Sequence, residues 1–398
     1  MEEDGTEGLA TTAPAQSTGS LAADRSVQGT EGLATAAPAQ ATEGFATARP
    51  AQATRRVMVG GVAVGGGAPC AVQSMLNRPP ADVSANLAQI EQLAEAGCEI
   101  VRMAIPHRKD LDAFEQVCQA SPLPVVADIH FDSEIAIGAA KRGAAKLRIN
   151  PGNVGGLEKT DAIIEAAQAA GIPIRIGVNA GSLDTALATR NDICLAQKLA
   201  LSAAQYLRYF EERGFYDVVV SAKAHDVPTT VATYRQLAHD LPQVPLHIGV
   251  TEAGTLFQGI IKSASGLGIL LAEGIGDTLR ISLTDDPVQE VRAAWTLLLA
   301  LGLRRRSPEI ISCPTCGRCQ VDLISIAKQL EERLRDVKAP LKVAVMGCVV
   351  NGPGEAADAD IGIACGAGSG ALFSQGRILR KVEQSAILDA LLEEIGKL

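Results

Sequence analysis

The residues with the clearest chemical potential are cysteines in the last quarter of the chain. Cys313 and Cys316 lie in the segment SCPTCGRC, and Cys348 follows in MGCVVNGPGE. A C-x-x-C spacing lets one turn bring two thiolates to a single metal centre. Alone, this spacing is more typical of structural zinc in an intracellular protein. The spacing therefore indicates a metal site and leaves the metal open.

The neighbouring donors favour an iron–sulfur cluster over zinc. Glu355 follows a Gly-Pro-Gly turn, seven positions after Cys348, and the C-terminal unit contains no histidine. Three thiolates and one carboxylate suit a cuboidal cluster, because an oxygen ligand leaves one iron more readily exchanged. Cys319 extends the run to C-x-x-C-x-x-C and is a competing ligand. The cysteines at positions 70, 98, 118, 194 and 365 are expected to be small buried apolar residues.

A second group of polar residues lies within or at the ends of β-rich segments. The group comprises Asp128 and His130, Arg148 and Asn150, Arg175 and Asn179, Ser221 and Lys223, and Arg280 and Ser282. Most of these pairs are two positions apart, which places both members on one side of a strand. Arg102, His247 and Glu252 are further candidates for the rim or the interior. Any single one could instead be structural, because buried polar residues also tie the layers of a barrel together.

Five of these residues are cations from five segments, namely Arg102, Arg148, Arg175, Lys223 and Arg280. The chain has a formal net charge of -9 and a pI of about 5.2, so a converging set of cations is unexpected. Unpaired buried cations are costly unless a multiply charged anion binds them. The sequence therefore predicts a diphosphate site, and the acidic balance argues against nucleic acid as a partner.

The elements that would position these residues follow a repeated βα pattern. Eight β-rich segments begin at residues 70, 100, 125, 146, 174, 218, 246 and 279, and Ala-rich or amphipathic segments separate them. With an eighth helix expected over 287–301, the count predicts a TIM (β/α)8 barrel, whose active site lies at the carboxyl ends of its strands. An open doubly wound sheet is the alternative.

Three regions are predicted. Residues 1–54 carry three imperfect copies of a unit such as GTEGLATTAPAQ and are expected to be a disordered extension. Residues 55–303 form the barrel, with a hairpin over 57–67 covering one end. Residues 304–398 form a smaller α/β domain, with a linker at 304–308, a helix over 321–337 and a strand over 341–345. The sequence lacks a signal peptide and a long apolar stretch, which predicts a cytoplasmic protein without a membrane span.

Eight motifs resemble those of the bacterial 4-hydroxy-3-methylbut-2-enyl diphosphate synthase family of the methylerythritol phosphate pathway. They are AVQSM, VADIHFD, LRINPGN, IPIRIGVNAGSL, TEAG, EGIGDTLRISL, SCPTCGR and GCVVNGPGEA, and the resemblance covers residues 55–398. It implies a TIM barrel joined to an α/β cluster domain. It also implies a homodimer, in which the cluster domain of one subunit caps the barrel of the other.

The resemblance further implies a 4Fe-4S cluster held by Cys313, Cys316, Cys348 and Glu355, and Cys319 departs from the family's pattern. The implied substrate is 2-C-methyl-D-erythritol 2,4-cyclodiphosphate, and flavodoxin or ferredoxin is the implied electron donor. The reaction would be a two-electron reductive ring opening that gives 4-hydroxy-3-methylbut-2-enyl diphosphate.

Roles can be assigned on this hypothesis. The predicted catalytic residues are Glu252, Glu355, Asp128 and His130, with Glu252 as the first candidate for proton donor or hydroxyl anchor. The predicted substrate-binding residues are Arg102, Arg148, Asn150, Arg175, Asn179, Lys223, His247, Arg280, Ser282 and Asn351. Two alternatives remain: a cofactor-free barrel enzyme that acts on a phosphorylated ligand and has a zinc-stapled tail, and a non-enzymatic iron–sulfur or redox-sensing protein.

Overall fold

The computed structural model describes residues 54–154, 156–335, 337–348, 354 and 356–398. The predicted N-terminal extension therefore lies outside the described residues, except for Thr54. Asn351 and Glu355, two of the predicted site residues, also lie outside them.

Eight parallel strands form the larger sheet. They are β3 (Ala71–Met75), β4 (Ile100–Ala104), β5 (Val125–Asp128), β6 (Lys146–Ile149), β7 (Ile174–Asn179), β8 (Val218–Lys223), β9 (His247–Ile248) and β10 (Thr278–Leu279). They are hydrogen-bonded in the order β8-β7-β6-β5-β4-β3-β10-β9. A parallel bridge between Val220 and Leu246 brings the two ends of this order together. The sheet is a nearly closed barrel, which confirms the predicted TIM fold and excludes the open sheet.

Helices follow the strands and surround the barrel. They are α1 (Val83–Ala96), α2 (Leu111–Ala120), α3 (Ser133–Lys141), α4 (Leu157–Ala170), α5 (Thr185–Ala188), α6 (Leu195–Glu211), α7 (Val227–Asp240), α8 (Leu256–Ala272) and α9 (Pro287–Ala300). Asp82, Asp132, Asp226 and Asp286 each accept a hydrogen bond from a backbone N–H group of the first turn. A side-chain cap of this kind stabilises a helix by about 1 kcal/mol, so the sequence fixes where these helices begin. Among the described residues, no helix combines the length and apolar character that crossing a membrane requires.

The amino ends of the barrel strands are closed by an apolar hairpin. Strands β1 (Val57–Val59) and β2 (Val62–Val64) pair antiparallel, as predicted for residues 57–67. Their buried valines pack against inward positions of four barrel strands, Ala71, Ile100, Val126 and Val219. The hairpin therefore covers the amino ends of the barrel strands.

The C-terminal region forms a second, mixed sheet of five strands in the order β11-β12-β13-β14-β15. The strands are β11 (Glu309–Ser312), β12 (Lys342–Met346), β13 (Ile361–Gly366), β14 (Ser369–Ser374) and β15 (Arg377–Glu383), and two helices, α10 (Leu323–Leu334) and α11 (Ile387–Ile395), belong to the same region. The first three strands are parallel and the last two are antiparallel to their neighbours. This is the predicted smaller α/β domain, with its first helix two residues shorter at the start and three at the end than expected.

The segment between the two sheets begins with an anchored arginine. Arg304 donates hydrogen bonds to both carboxylate oxygens of Glu99, at 2.7 and 2.9 Å, and lies 4.5 Å from the centre of the Trp295 ring. Arg306 donates to the backbone carbonyl of Glu95. The predicted linker is therefore attached to the barrel through its first and third residues, Arg304 and Arg306.

Candidate active site

The parallel register aligns the predicted polar residues inside the barrel. Asp128 of β5 lies beside Arg148 of β6, and Arg148 lies beside Arg175 of β7. At the carboxyl ends of β7 and β8, Asn179 lies beside Lys223. Side chains two positions apart on a strand share a face, so these residues point into one interior.

Asp128 is the acceptor at the centre of this group. Its side chain is 2% exposed and receives a hydrogen bond from Arg148 Nη1 at 3.1 Å. Arg102 Nε lies 3.7 Å from its other oxygen, and His130 Nε2 lies 3.4 Å from that oxygen. Burial alone would raise the pKa of Asp128, but the nearby charges and hydrogen bonds, led by Arg102, hold its pKa well below the ordinary value. Asp128 is therefore a charged partner of the arginines and a poor proton donor at neutral pH.

Arg280 is held by a carboxylate from outside the strands. Its Nε and Nη2 atoms donate to the two oxygens of Glu290, at 3.1 and 2.9 Å, in a bidentate pair. Glu290 belongs to α9, is 2% exposed and also accepts a hydrogen bond from Ser74 Oγ at 3.0 Å. The guanidinium is thereby fixed in orientation, while Nη1 is directed towards Met75 Sδ at 3.6 Å.

The remaining cations lack a carboxylate partner among the described residues. Arg175 is 1% exposed and donates to Ser221 Oγ at 3.0 Å, while its Nε and Nη2 atoms have no hydrogen-bond partner in the described structure. Burial and then the charges of Arg102 and Arg148 hold the pKa of Arg175 well below its ordinary value. Burial and the neighbouring arginines also lower the pKa of Lys223, although this side chain keeps some access to solvent at the mouth. The site thus has an excess of positive charge.

The predicted amide and hydroxyl groups lie on the same interior. Asn150 is 1% exposed, its Oδ1 accepts a hydrogen bond from the Gly152 N–H group at 3.3 Å, and its Nδ2 has no partner in the described structure. Asn179 and Ser282 are partly buried at the carboxyl ends of their strands. Asn150 Nδ2 is therefore available as a donor to a bound oxygen atom.

Glu252 stands out by its backbone conformation. It has φ of 53°, in the left-handed region that a residue with a side chain rarely adopts. Its carbonyl oxygen accepts a hydrogen bond from Lys262 Nζ at 3.4 Å, and its side chain is exposed. Strain of this kind costs about 1–3 kcal/mol and concentrates at functional sites, which favours a role for the loop after β9.

The sequence reasoning missed several residues of this interior. Lys146 precedes Arg148 by two positions on β6, so the alternation of that strand could have revealed it. Gln73 and Met75 of β3 could have been found in the same way. Glu290 gave no signal, because a helix residue reaches a barrel mouth only through tertiary packing.

The predicted ligand cysteines follow two neighbouring parallel strands. Ser312, the last residue of β11, lies beside Val345 of β12, so Cys313 and Cys348 leave the same edge of the sheet. The Gly347 N–H group donates to Cys313 Sγ at 3.2 Å, and the Gln320 N–H group donates to the Gly347 carbonyl at 3.2 Å. These bonds join the segment of Cys313 and Cys316 to the segment of Cys348.

The individual thiols differ in environment. Cys316 is exposed, and the backbone N–H group of Arg318, followed by the charge of that residue, lowers the pKa of Cys316. The thiol of Cys319 lies 3.3 Å from the carbonyl oxygen of Val321, against Gly347. Among the described residues, no group of three His, Cys, Asp or Glu side chains lies in an arrangement that could hold a metal ion.

The prediction for the other cysteines is partly wrong. Cys98 and Cys365 are buried, and burial raises the pKa of Cys98 to about 12 and that of Cys365 to about 11. Cys70 and Cys118 are only partly buried. Cys194 is exposed, because it lies in the loop directly before α6 and caps that helix rather than facing its apolar side.

Comparison with known proteins identifies the family. The sequence model of the GcpE TIM-barrel domain matches residues 54–295, and that of the GcpE protein C-terminal domain matches residues 309–397. The chain belongs to the GcpE family. This result confirms the family and the fold class that the motifs predicted.

The relatives are similar over most of their length. A protein of Geobacter sulfurreducens is 53% identical over 344 residues, which cover 86% of this chain and 97% of the relative. A protein of Aquifex aeolicus is 51% identical over 341 residues, which cover 86% of this chain and 95% of the relative. Both are named 4-hydroxy-3-methylbut-2-en-1-yl diphosphate synthase (flavodoxin), in agreement with the predicted activity and not with the zinc alternative. Among solved structures, dihydropteroate synthase of Thermus thermophilus aligns with a TM-score of 0.48 and 18% identity over 63% of this chain and 97% of that one.

Proposed function

We propose that this chain is an oxidoreductase that converts 2-C-methyl-D-erythritol 2,4-cyclodiphosphate to 4-hydroxy-3-methylbut-2-enyl diphosphate. The observation that carries the proposal is the charge of the barrel mouth. Five cations from five strands share only two carboxylates as ion-pair partners among the described residues, Asp128 and Glu290. A diphosphate would supply the missing negative charge. Its oxygens would accept hydrogen bonds from Arg175 Nε and Nη2 and from Asn150 Nδ2, which have no partner among the described residues.

The barrel residues would bind and orient the substrate. Arg280 and Arg148 are held by Glu290 and Asp128, so both guanidinium groups are positioned before the anion arrives. Arg102, Arg175 and Lys223 would add charge, and Asn150, Asn179 and Ser282 would hydrogen-bond the oxygens of the ligand. His247 is fully buried, so it would support Arg175 and Lys223 from below. The anion would then be bound mainly by groups whose positions the barrel fixes.

Soft thiolate donors at one sheet edge fit a 4Fe-4S cluster, with Cys313, Cys316, Cys348 and Glu355 as the proposed ligands. The hydrogen bond from Gly347 N–H to Cys313 Sγ is of the kind that stabilises cluster thiolates. When bound, the cluster would supply single electrons for the cleavage of the C–O bond. Cys319 would pack rather than ligate, because its thiol lies beside the Val321 carbonyl.

Proton and hydroxyl handling would fall to residues around the mouth. Glu252 would donate a proton to the departing oxygen or anchor a substrate hydroxyl, since its strained loop presents an exposed carboxyl group. His130, half exposed between Arg148 and Asp128, would assist it, while Asp128 would keep the arginines in place. Asn351, directly before the sequence Gly-Pro-Gly, would contact the substrate from the cluster segment.

The assembly would be a homodimer in which the cluster domain of one subunit covers the barrel of the other. Two exposed aromatic residues support this arrangement: Phe131, in the loop after β5, is 73% exposed, and Phe257, in the first turn of α8, is 76% exposed. We further propose the division into an extension (1–54), a barrel (55–303) and a cluster domain (304–398), a cytoplasmic location, and flavodoxin or ferredoxin as the electron donor.

The first experiment is anaerobic purification followed by iron and sulfide analysis and a visible spectrum. We expect about four iron and four sulfide per chain. Cys313→Ser should lose most of both, because it removes a proposed ligand. Cys319→Ser is the matched control and should retain them. A colourless wild-type protein that contains zinc would instead support the zinc-stapled barrel.

The second experiment tests the anion site. Arg148→Ala and Arg280→Ala should each weaken substrate binding by roughly 10- to 100-fold, since each removes charge-assisted hydrogen bonds. The loss should shrink at high salt, because ions screen charges that remain accessible at the mouth. Arg190→Ala, on the surface and paired with Asp192, is the control. Unchanged affinity in both mouth variants would show that those arginines are structural.

A further inference from the structure

A layer of buried polar residues lies in the barrel interior. Five residues from five strands form this polar layer: Gln73, Lys146, Arg175, His247 and Thr278. Each is at most 1% exposed. Each also has at least one polar side-chain atom without a hydrogen-bond partner in the part of the chain that the structure describes. A buried polar group without a partner destabilises the folded state by about 1–3 kcal/mol. Five such residues in one layer therefore indicate a role other than stability.

Lys146 is the most demanding member of the polar layer. Its Nζ atom has no acceptor among the described residues, and the side chain is fully buried on β6. It lies two residues before Arg148 on the same face, about 7 Å along the strand and nearer the closed end. A buried ammonium group without an acceptor is far more costly than a neutral amine.

The charged groups around Lys146 are mainly positive. Those in the same interior are Arg102 on β4, Asp128 on β5, Arg148 on β6, Arg175 on β7, Lys223 on β8, His247 on β9 and Arg280 directly after β10. Asp128 is already shared by Arg102 and Arg148. Burial and then the charges of Arg175 and Arg102 hold the pKa of Lys146 well below its ordinary value.

We propose that Lys146 is a positioning residue of the anion site, neutral in the empty barrel, that takes up one proton from solvent when a diphosphate binds above it. The inference rests on the proposed function, because it needs an anion among the mouth cations. The bound anion reverses the sign of the local potential and so stabilises the ammonium form. The ammonium then supports the anion from below, and the proton returns to solvent when the ligand leaves.

Proton uptake on binding makes the affinity for the anion depend on pH. Because binding is coupled to proton uptake, affinity is greatest at low pH and decreases as pH rises, by up to about tenfold per pH unit for one proton. Lys223 and His247 also face the site. Lys223 keeps access to solvent and is expected to contact the anion directly. His247 is also fully buried near Arg175, Lys223 and Arg102, so the variant His247→Gln tests whether it takes up the proton instead.

The experiment is calorimetric titration of the full-length wild-type protein with inorganic diphosphate, at one pH, in two buffers of different ionisation enthalpy. The dependence of the heat on the buffer gives the number of protons exchanged. Lys146→Met keeps the length of the side chain and removes the amine, so its proton uptake should be lower than that of wild type by about one. Diphosphate exchanges its own protons equally in both proteins. Lys141→Met, exposed on α3, is the control and should match wild type.

The outcomes separate the two proposals. If wild type does not bind diphosphate, the proposed anion site fails. If it binds diphosphate and Lys146→Met exchanges the same number of protons, the role of Lys146 is overturned, as it is if His247→Gln alone abolishes the uptake. Should Lys146→Met not fold, the affinity of wild type for sulfate, which does not titrate near neutral pH, decides the matter. We expect weaker sulfate binding with rising pH, and a constant affinity would contradict the inference.

Discussion

At the scale of single residues, Asp128 offsets part of the positive charge of the barrel mouth before any ligand binds. It is the buried carboxylate that Arg102 and Arg148 share, and His130 contacts it from the solvent side. A group whose pKa is lower in the folded than in the unfolded state contributes stability above the unfolded value, and that contribution is lost as pH falls. Asp128 therefore stabilises the fold at neutral pH.

Asp128→Asn should destabilise the protein by about 3 kcal/mol at pH 7, because it leaves two buried arginines without their negative partner. The difference in the free energy of unfolding between the variant and wild type should decrease by about 1 kcal/mol between pH 7 and pH 3. Only wild type loses the stabilisation by the Asp128 carboxylate as pH falls below the unfolded pKa of about 3.9. Urea unfolding at the two pH values measures both quantities.

The matched control is Asp112→Asn, in which an exposed carboxylate 3.5 Å from Arg142 is lost. Its effect should stay within about 0.5 kcal/mol at either pH. An Asp128→Asn variant as stable as wild type at pH 7 would rule out the balancing role.

At the scale of elements, strand β7 makes room for an arginine of its neighbour. A Cβ atom on Gly177 would lie 2.6 Å from Arg148 Nε and 3.0 Å from Nη2. Real Cβ atoms do not approach this closely, so the guanidinium occupies the space that a side chain on β7 would need. The glycine in the motif GVNAGS thus helps to position Arg148 in the proposed anion site, although it carries no functional group.

Gly177→Ala should displace the Arg148 guanidinium and weaken diphosphate binding by roughly tenfold, since one charge-assisted contact is lost. Stability should change little, because the guanidinium can move towards the open mouth. Titration with inorganic diphosphate and thermal unfolding measure the two effects.

Gly268→Ala is the control for this prediction. It lies in α8, and an added Cβ would meet nothing closer than Leu297 Cδ1 at 3.8 Å. Helix propensity predicts that this variant is about 0.5–1 kcal/mol more stable and binds diphosphate normally. Equal binding by both glycine variants would show that Arg148 adapts without loss.

At the scale of the whole molecule, the two halves of the chemistry lie in two sheets. The proposed anion site belongs to the barrel, and the proposed cluster ligands leave the edge of the C-terminal sheet. Complementation between two impaired variants can test whether one subunit supplies the barrel, and its partner supplies the cluster, to a single active site. The variants must fail for different reasons, so Arg280→Ala disables the barrel and Cys316→Ser disables the cluster segment.

At a substrate concentration well below the wild-type KM, each variant alone should have little activity, and an equimolar mixture after subunit exchange should recover about a quarter of wild-type activity. Half of the dimers would be mixed, and one of their two sites would combine an intact barrel with an intact cluster segment. Activity after mixing and refolding the two proteins together measures the result. No recovery, with dimers present by sedimentation, would indicate that each chain builds its own site.

The sequence determined the layers of this protein because local patterns carry them. The alternation of β-rich and helical segments predicted all eight barrel strands, and the Gly-rich stretch over 57–67 predicted a hairpin that covers one end. Polar side chains two positions apart predicted the inward faces of β5, β6 and β8, since period two is a property of any strand. The spacing of Cys313 and Cys316, with Cys348 at the end of a later strand, predicted one shared metal centre, and in the structure Cys313 and Cys348 follow two neighbouring parallel strands.

Only the tertiary structure decided how these groups are partnered. Three examples depend on contacts between elements that are distant in sequence. Glu290 pairs with Arg280, two arginines share Asp128, and Arg148 fills the space next to Gly177. The alternation of β6 can place Lys146 on the inward face, but its complete burial depends on the hairpin that closes that end of the barrel. Sequence patterns set which face a side chain occupies, whereas its charge state and its partners depend on what the closed barrel places around it.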